Sequence, residues 1–156
     1  MTGSVGKTTC KELIAAILGR RYRVLKSEAN LNTEIGIPLT LLQLTPEHQR
    51  AVLEFAMYGP GEIRLLSRIA APQVGVVTNI GPVHLERLGS LEAIAAAKAE
   101  LVEALPADGI AVLNGDDPRV AALAARTCAR TILYGQGAQC QVRGSEVSSH
   151  GLDGIS

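Results

Sequence analysis

The residues Gly3-Ser4-Val5-Gly6-Lys7-Thr8-Thr9 have the composition of a phosphate-binding loop. Glycines let the backbone fold tightly enough for several N–H groups to face one anion, and the positive N-terminal end of a following helix reinforces them. In that arrangement Lys7 reaches the outer phosphates of a nucleotide and the Thr8 hydroxyl joins a Mg²⁺ shell. The strict form of the pattern has a glycine five positions before Gly6. Met1 stands there, so the match is to the shorter form of the loop.

Three more residues could do chemistry beside it. Glu54 follows the apolar stretch Ala51-Val52-Leu53. A carboxylate at such a strand end suits Mg²⁺, directly or through water, because the ion takes oxygen ligands and keeps some of its waters. His84, in NIGPVHLE, follows a turn just past another strand end. A lone loop histidine is ordinarily structural or solvated, but with Glu54 on the same sheet edge a metal contact is the better reading. Lys98 falls on the apolar helical stripe of Leu91, Ile94, Ala95, Leu101, Val102 and Leu105. Either its stem snorkels to water, or its head enters the crevice near Glu54 and the phosphates. A lysine beside a metal repels it unless neutral or modified, and carbamylation by CO₂ would convert the cation into a carboxylate.

The elements that must position these groups alternate between helix and strand. The pattern predicts a helix from Gly6-Lys7 to about Leu18, stopped at Gly19. A short strand over Tyr22–Leu25, the polar loop SEANLNTEIGIP and a short helix over Leu39–Leu44 follow. Next come a strand over Ala51–Phe55, a YGPG turn, a helix over Glu62–Ala70, and the strand VGVVTNIG, which leaves the sheet at Thr78-Asn79. Ser90 is an N-cap, with Glu92 in the first turn, for a helix to about Leu105. A turn at Pro106–Gly109, a strand over Ile110–Leu113 ending on Asn114, a helix from Asp117-Pro118 and a strand over Thr131–Tyr134 complete the series. Beyond Gly135, CQVRGSEV is either an edge strand or a ragged tail. Short apolar strands separated by helices imply a parallel sheet covered on both faces. In such sheets ligands bind outside the carboxyl ends of the strands. Glu54, Thr78-Asn79 with His84, and Asn114 with Asp116-Asp117 all fall at those ends, on the edge where the Lys7 loop would open.

Composition removes other classes. Lys+Arg and Asp+Glu are both 15 among 156 residues, which argues against a broad nucleic-acid or membrane surface. One Phe and no Trp argue against stacking on bases. Cys10, Cys128 and Cys140 are odd in number and far apart, without zinc spacing, which fits a reducing cytoplasm. No apolar run approaches membrane-helix length, so no membrane insertion is expected.

The blocks TGSVGKTTCKELIAAIL, NLNTEIGIPLTLLQL, GPGEI, VGVVTNIGPVHLERLGSLEAIAAAKAELVEALP and AVLNGDDPRV together resemble the central ATP-binding domain of the Mur ligases, in the branch that adds D-alanyl-D-alanine. The resemblance implies a three-layer α/β fold like that of P-loop NTPases, with a mostly parallel sheet incomplete at both ends. Residues 1–134 would be the ATP-binding domain and 135–156 its edge strand or tail, with the UDP-binding and C-terminal ligase domains absent. It implies ATP and Mg²⁺ as cofactors, and as substrates a UDP-N-acetylmuramoyl-peptide and D-alanyl-D-alanine, joined through an acyl phosphate in the cytoplasm by a monomer. Gly3, Ser4, Val5, Gly6, Lys7, Thr8 and Thr9 would hold the phosphates, and Asn79 and Asn114 the nucleotide or its surroundings. Thr8 and Glu54 would bind Mg²⁺, and His84 would serve a second Mg²⁺. Lys98 matches the lysine that is carbamylated in the family. Asn30, Asn32, Thr33 and Glu34 would line the peptide side. Phe55-Ala56 depart from the small, glycine-containing stretch usual after that glutamate.

With its first strand missing, the loop is expected to lack preorganisation, the neighbouring strands to carry unpaired backbone groups or to rearrange, and the chain alone to have little activity. The same residues are compatible with other classes: a folylpolyglutamate synthase-like ligase, a ParA-like ATPase switch, and a non-catalytic remnant. The switch class carries an extra lysine near the start of its loop, and Met1-Thr2-Gly3-Ser4 offers none.

Overall fold

The computed structural model describes residues 1–156 except 84, 149, 152, 153, 155 and 156. In chain order the elements are α1 (Lys7–Gly19), β1 (Val24–Lys26), α2 (Gly36–Leu41), β2 (Arg50–Val52), α3 (Glu62–Ala70), β3 (Val74–Val77) and α4 (Leu85–Leu88). They continue with α5 (Leu91–Glu103), β4 (Ile110–Asn114), α6 (Pro118–Ala121), a 3₁₀ turn (Ala122–Arg126), β5 (Arg130–Gly135) and β6 (Val142–Arg143).

All the strands pair in parallel. β1 pairs with β2 from Val24↔Arg50 to Lys26↔Val52, and β3, β4, β5 and β6 form a second sheet in that order. Met1 and Thr2 lie between the two. Thr2 donates from its N–H to Val76 O (2.9 Å) and accepts from Thr78 N (3.1 Å), while Met1 O accepts from Phe55 N (2.8 Å) on the other side. The Met1 amine donates to Leu53 O (2.7 Å), and burial pushes it down to about 5. The two residues thus connect both sheets, and the order across the molecule is β1, β2, Met1–Thr2, β3, β4, β5, β6. Of the two expected outcomes, unpaired neighbouring strands or a rearrangement, the first is corrected for the carboxyl ends, which Met1 and Thr2 pair. Below Met1 the gap between β2 and β3 opens into a cleft of about 790 Å³, lined by Ile14, Leu18, Val52, Leu53, Val74 and Val76 among others.

The core is one cluster centred on α5, which Ile37 of α2 and Phe55 beyond β2 join from the other side. Ile94, Leu101 and Val102 of α5 are fully buried with Val77, Ala111 and Leu113. Gly75 lets α5 settle closely, since a Cβ there would meet Leu105 Cδ1 at 3.1 Å. The Ser90 side chain accepts from Ala93 N (3.1 Å), the expected cap of α5. Several boundaries differ from the sequence reading: the first strand is Val24–Lys26 and not Tyr22–Leu25, and the last expected one runs Arg130–Gly135 and not Thr131–Tyr134. The short helix runs from Gly36, not Leu39, because Pro38 falls in its first turn, where no N–H is needed. The second strand runs over Arg50–Val52, not Ala51–Phe55, because beyond Val52 its new neighbour is Met1 alone. α4 was not anticipated within NIGPVHLERL.

Candidate functional site

The loop is built onto the end of β3. Asn79 Oδ1 accepts from Ser4 N (3.1 Å) and Val5 N (2.9 Å), and its Nδ2 donates to Val5 O (3.0 Å). Thr78 Oγ1 donates to the same carbonyl (2.8 Å), and Ser4 Oγ donates to Gly81 O (3.1 Å) while accepting from Gly81 N (2.8 Å). Gly3 is required by close approach, because a Cβ there would overlap Thr78 Oγ1 and lie 3.3 Å from Asn79 N. Gly6 has φ 77, the left-handed region that favours glycine, and a Cβ at this position would meet nothing within 4 Å. The expected lack of preorganisation is therefore corrected: what steadies the loop is the strand beside it. The first N–H groups of α1 have no intrahelical acceptor, Gly6 supplies no side-chain cap, and no acidic residue lies in the first turn. That is an open, electropositive anion seat.

At its rim Thr8 Oγ1 donates to Glu54 Oε2 (2.8 Å), and Asn32 Nδ2 donates to Glu54 Oε1 (3.1 Å). Glu54 is only 2% exposed, and its backbone N–H donates to Ser27 Oγ (3.1 Å). The donor set fits Mg²⁺, which is usually held by one or two protein oxygens with phosphate and water completing its shell. Among the described residues no three His, Cys, Asp or Glu side chains group as a metal cluster. His84 lies outside the described residues.

Lys98 is also 2% exposed, the crevice alternative to snorkelling. With Lys7, Thr2, Phe55, Met57 and Val83 it lines a cavity of about 70 Å³. Burial, with the charge of Lys7 adding, pushes its ammonium down to about 8. Lys7 Nζ donates to Ser4 O (3.4 Å) across the loop. Asn114 Nδ2 donates to Thr78 O (2.9 Å), so Asn114 braces the strand end that carries the loop. Asn30 and Glu34 are exposed on the loop before α2, and Thr33 Oγ1 accepts from Gly36 N (3.5 Å) at the start of that helix.

Residues 1–154 match the family described as Mur ligase middle domain. The chain belongs to the Mur ligase family. A UDP-N-acetylmuramoyl-tripeptide--D-alanyl-D-alanine ligase of Synechocystis sp. is 50% identical over 136 residues, which is 86% of this chain and 30% of that protein. MurF from Acinetobacter baumannii superposes with a TM-score of 0.88 at 33% identity, over 99% of this chain and 36% of its own. MurF ligase from Thermotoga maritima, in complex with ADP, gives 0.87 at 35% identity, over 96% and 35%. The chain thus spans about a third of the length of these relatives.

In this Mur ligase domain the structure shows contacts that sequence reasoning missed. Asn32, expected on the peptide side, holds the carboxylate of Glu54. Ser27 holds the Glu54 backbone. Asp117, expected at the strand-end crevice and as a helix start, accepts from Ile80 N (2.8 Å) and so fixes the strand exit after Asn79. The run Asp117-Pro118 signalled the cap, but nothing in the sequence pointed to Ile80.

Proposed function

We propose that residues 1–134 form the ATP-binding domain, with 135–156 as its trailing edge, of a ligase that adds D-alanyl-D-alanine to a UDP-N-acetylmuramoyl-tripeptide. The observation that carries this reading is the Thr8–Glu54 pair at the mouth of an open phosphate loop, in a chain whose relatives bear that name. The γ-phosphoryl group of ATP passes to the tripeptide carboxylate. The amine of D-alanyl-D-alanine attacks the acyl phosphate, and the tetrahedral adduct collapses to the amide, releasing phosphate. ADP leaves as the other product. Such transfers depend on positioning and on concentrated positive charge.

The residues divide that work. The N–H groups at the start of α1 cradle the phosphates, and Lys7 meets their outer oxygens. Asn79 and Asn114 hold the strand ends and border the nucleotide. Thr8 and Glu54 hold Mg²⁺, which supplies positive charge to the phosphate oxygens, and His84 serves a second ion. Lys98, half neutral near pH 8, carries the nucleophilic amine that a carbamate needs. As a carbamate it would add an anion beside Lys7 and remove the repulsion between the two. Asn30, Asn32, Thr33 and Glu34 face the peptide. Among the described residues no helix is long and apolar enough to cross a membrane, and the reaction is placed where ATP is supplied, in the cytoplasm.

Calorimetric titration with ATP and Mg²⁺ tests the reading. Micromolar binding is expected, weakened at least about tenfold in Lys7→Ala by loss of a charge-assisted contact. A cooperatively folded chain without nucleotide affinity would leave only a remnant of the loop.

A further inference from the structure

One buried cation takes no part in that reading. Lys11 of α1 is 0% exposed. Its Nζ donates to Ser27 O (2.6 Å) and lies 3.2 Å from Glu12 Oε1. Burying an ammonium carries a desolvation cost that a leucine or methionine would avoid, so the position of this head group needs a reason. Lys11 follows Lys7 by four residues and Thr8 by three, which places all three on one side of α1. The carbonyl it grips is the first beyond β1. The same Ser27 donates from its N–H to Val52 O (3.1 Å) and accepts the Glu54 N–H on its hydroxyl (3.1 Å). Glu54 then returns to α1 by accepting from Thr8 Oγ1 (2.8 Å). The path Thr8, Lys11, Ser27, Glu54, Thr8 is a closed ring. The nearby Lys26–Glu12 pair (2.6 Å) ties the same helix to the same strand, but is partly exposed.

We propose that Lys11 is a positioning residue. It locks the carboxyl ends of β1 and β2 against α1, so that Thr8 and Glu54 present their oxygens to the metal of a metal–nucleotide as one unit. The proposal rests on the reading of Thr8 and Glu54 as the Mg²⁺ pair. A lysine that merely filled space would leave the metal dependence of binding untouched.

Two variants of the whole chain test it. Lys11→Met keeps the volume and removes the donor. Ser27→Ala, the milder change, keeps the carbonyl that Lys11 grips and removes the acceptor of the Glu54 N–H. Hydrogen exchange without ligand should show the Glu54 amide exchanging about tenfold faster in both, from the loss of one buried hydrogen bond, with β4 amides unchanged. The Mg²⁺ concentration that half-maximally tightens ATP binding should rise about tenfold, while ATP affinity without Mg²⁺ stays put. Unchanged Glu54 exchange in a folded variant overturns the proposal. So does an unmoved Mg²⁺ midpoint, or an equal loss with and without Mg²⁺. Absence of ATP binding in the unsubstituted chain would instead remove the site reading, and this proposal with it.

Discussion

The two sides of the sheet are built to different standards. On one side β4 is paired along its whole length, from Ile110↔Arg130 to Asn114↔Tyr134 with β5 and from Val74 to Val77 with β3, and α5 seals the core. On the other, β1 and β2 share three residue pairs, β2 faces an open cleft, and Leu13, Ile17, Leu39, Leu42 and Leu44 are exposed. The candidate site draws on both. Asn79, Asn114 and Lys98 come from the sealed side, whereas Glu54, Asn32 and Ser27 come from the open one. The phosphate loop crosses between them. The sealed side therefore sets the frame, and the geometry of the metal pair depends on how firmly the open side is held to it. Local stability is expected to differ accordingly, since amide protection follows buried apolar contact and pairing.

The comparison is broken most directly by equal truncations. Leu101→Ala, in the sealed core, should cost about 3 kcal/mol in urea unfolding, the transfer and cavity terms together. Leu42→Ala, 81% exposed on the open side, should stay within about 0.5 kcal/mol. Similar losses at the two positions would mean that both sides carry the fold alike.

A second effect sharpens the contrast through pH. Lys98 is buried on the sealed side, and its proton is held less tightly in the folded chain, near 8, than at the ordinary value of 10.5. Between those values the unfolded chain binds more protons than the native one, so stability rises as pH rises from about 8 to 10.5. Below 8 this group contributes no slope. The rise is at most about 3 kcal/mol across the window. Urea midpoints in CO₂-free buffer should show it, and Lys98→Met should remove it while stabilising the chain at pH 7. A slope that survives in Lys98→Met would assign it to another group.

What the sequence made legible follows the same division. α5, its Ser90 cap and the odd place of Lys98 were readable because helical spacing is local and regular, and burial of the stripe carried Lys98 with it. α3 was read at its observed bounds for the same reason. The phosphate loop was readable because its chemistry is contiguous. The ties that set its geometry were not. Asn79 meets Ser4 across 75 positions, and Ser27 meets Glu54 across 27. No periodicity encodes such contacts, since they depend on which strands become neighbours. The place of Met1 and Thr2 was missed for a related reason. Two residues carry no strand pattern, and only the open edges on either side make them one.

The smallest expected effect bears on the junction itself. Asn79 makes three side-chain hydrogen bonds to the Ser4–Val5 backbone, but it is partly exposed, so water replaces much of what Asn79→Ala removes. The global cost should be about 1 kcal/mol. The local consequence should be larger. Ser4 and Val5 amides should exchange faster, and ATP affinity should fall about tenfold, because the loop must then be ordered at the expense of binding. Asn79→Asp separates the two contributions. It keeps acceptors for both N–H groups but sets a carboxylate against Val5 O and beside the phosphate seat, so it should weaken ATP binding more than it destabilises the fold. If Asn79→Ala left ATP affinity unchanged, Thr78 and Gly81 would be sufficient to hold the loop. The frame would then reach the site through β3 itself, and the two sides would be joined more firmly than their unequal pairing suggests.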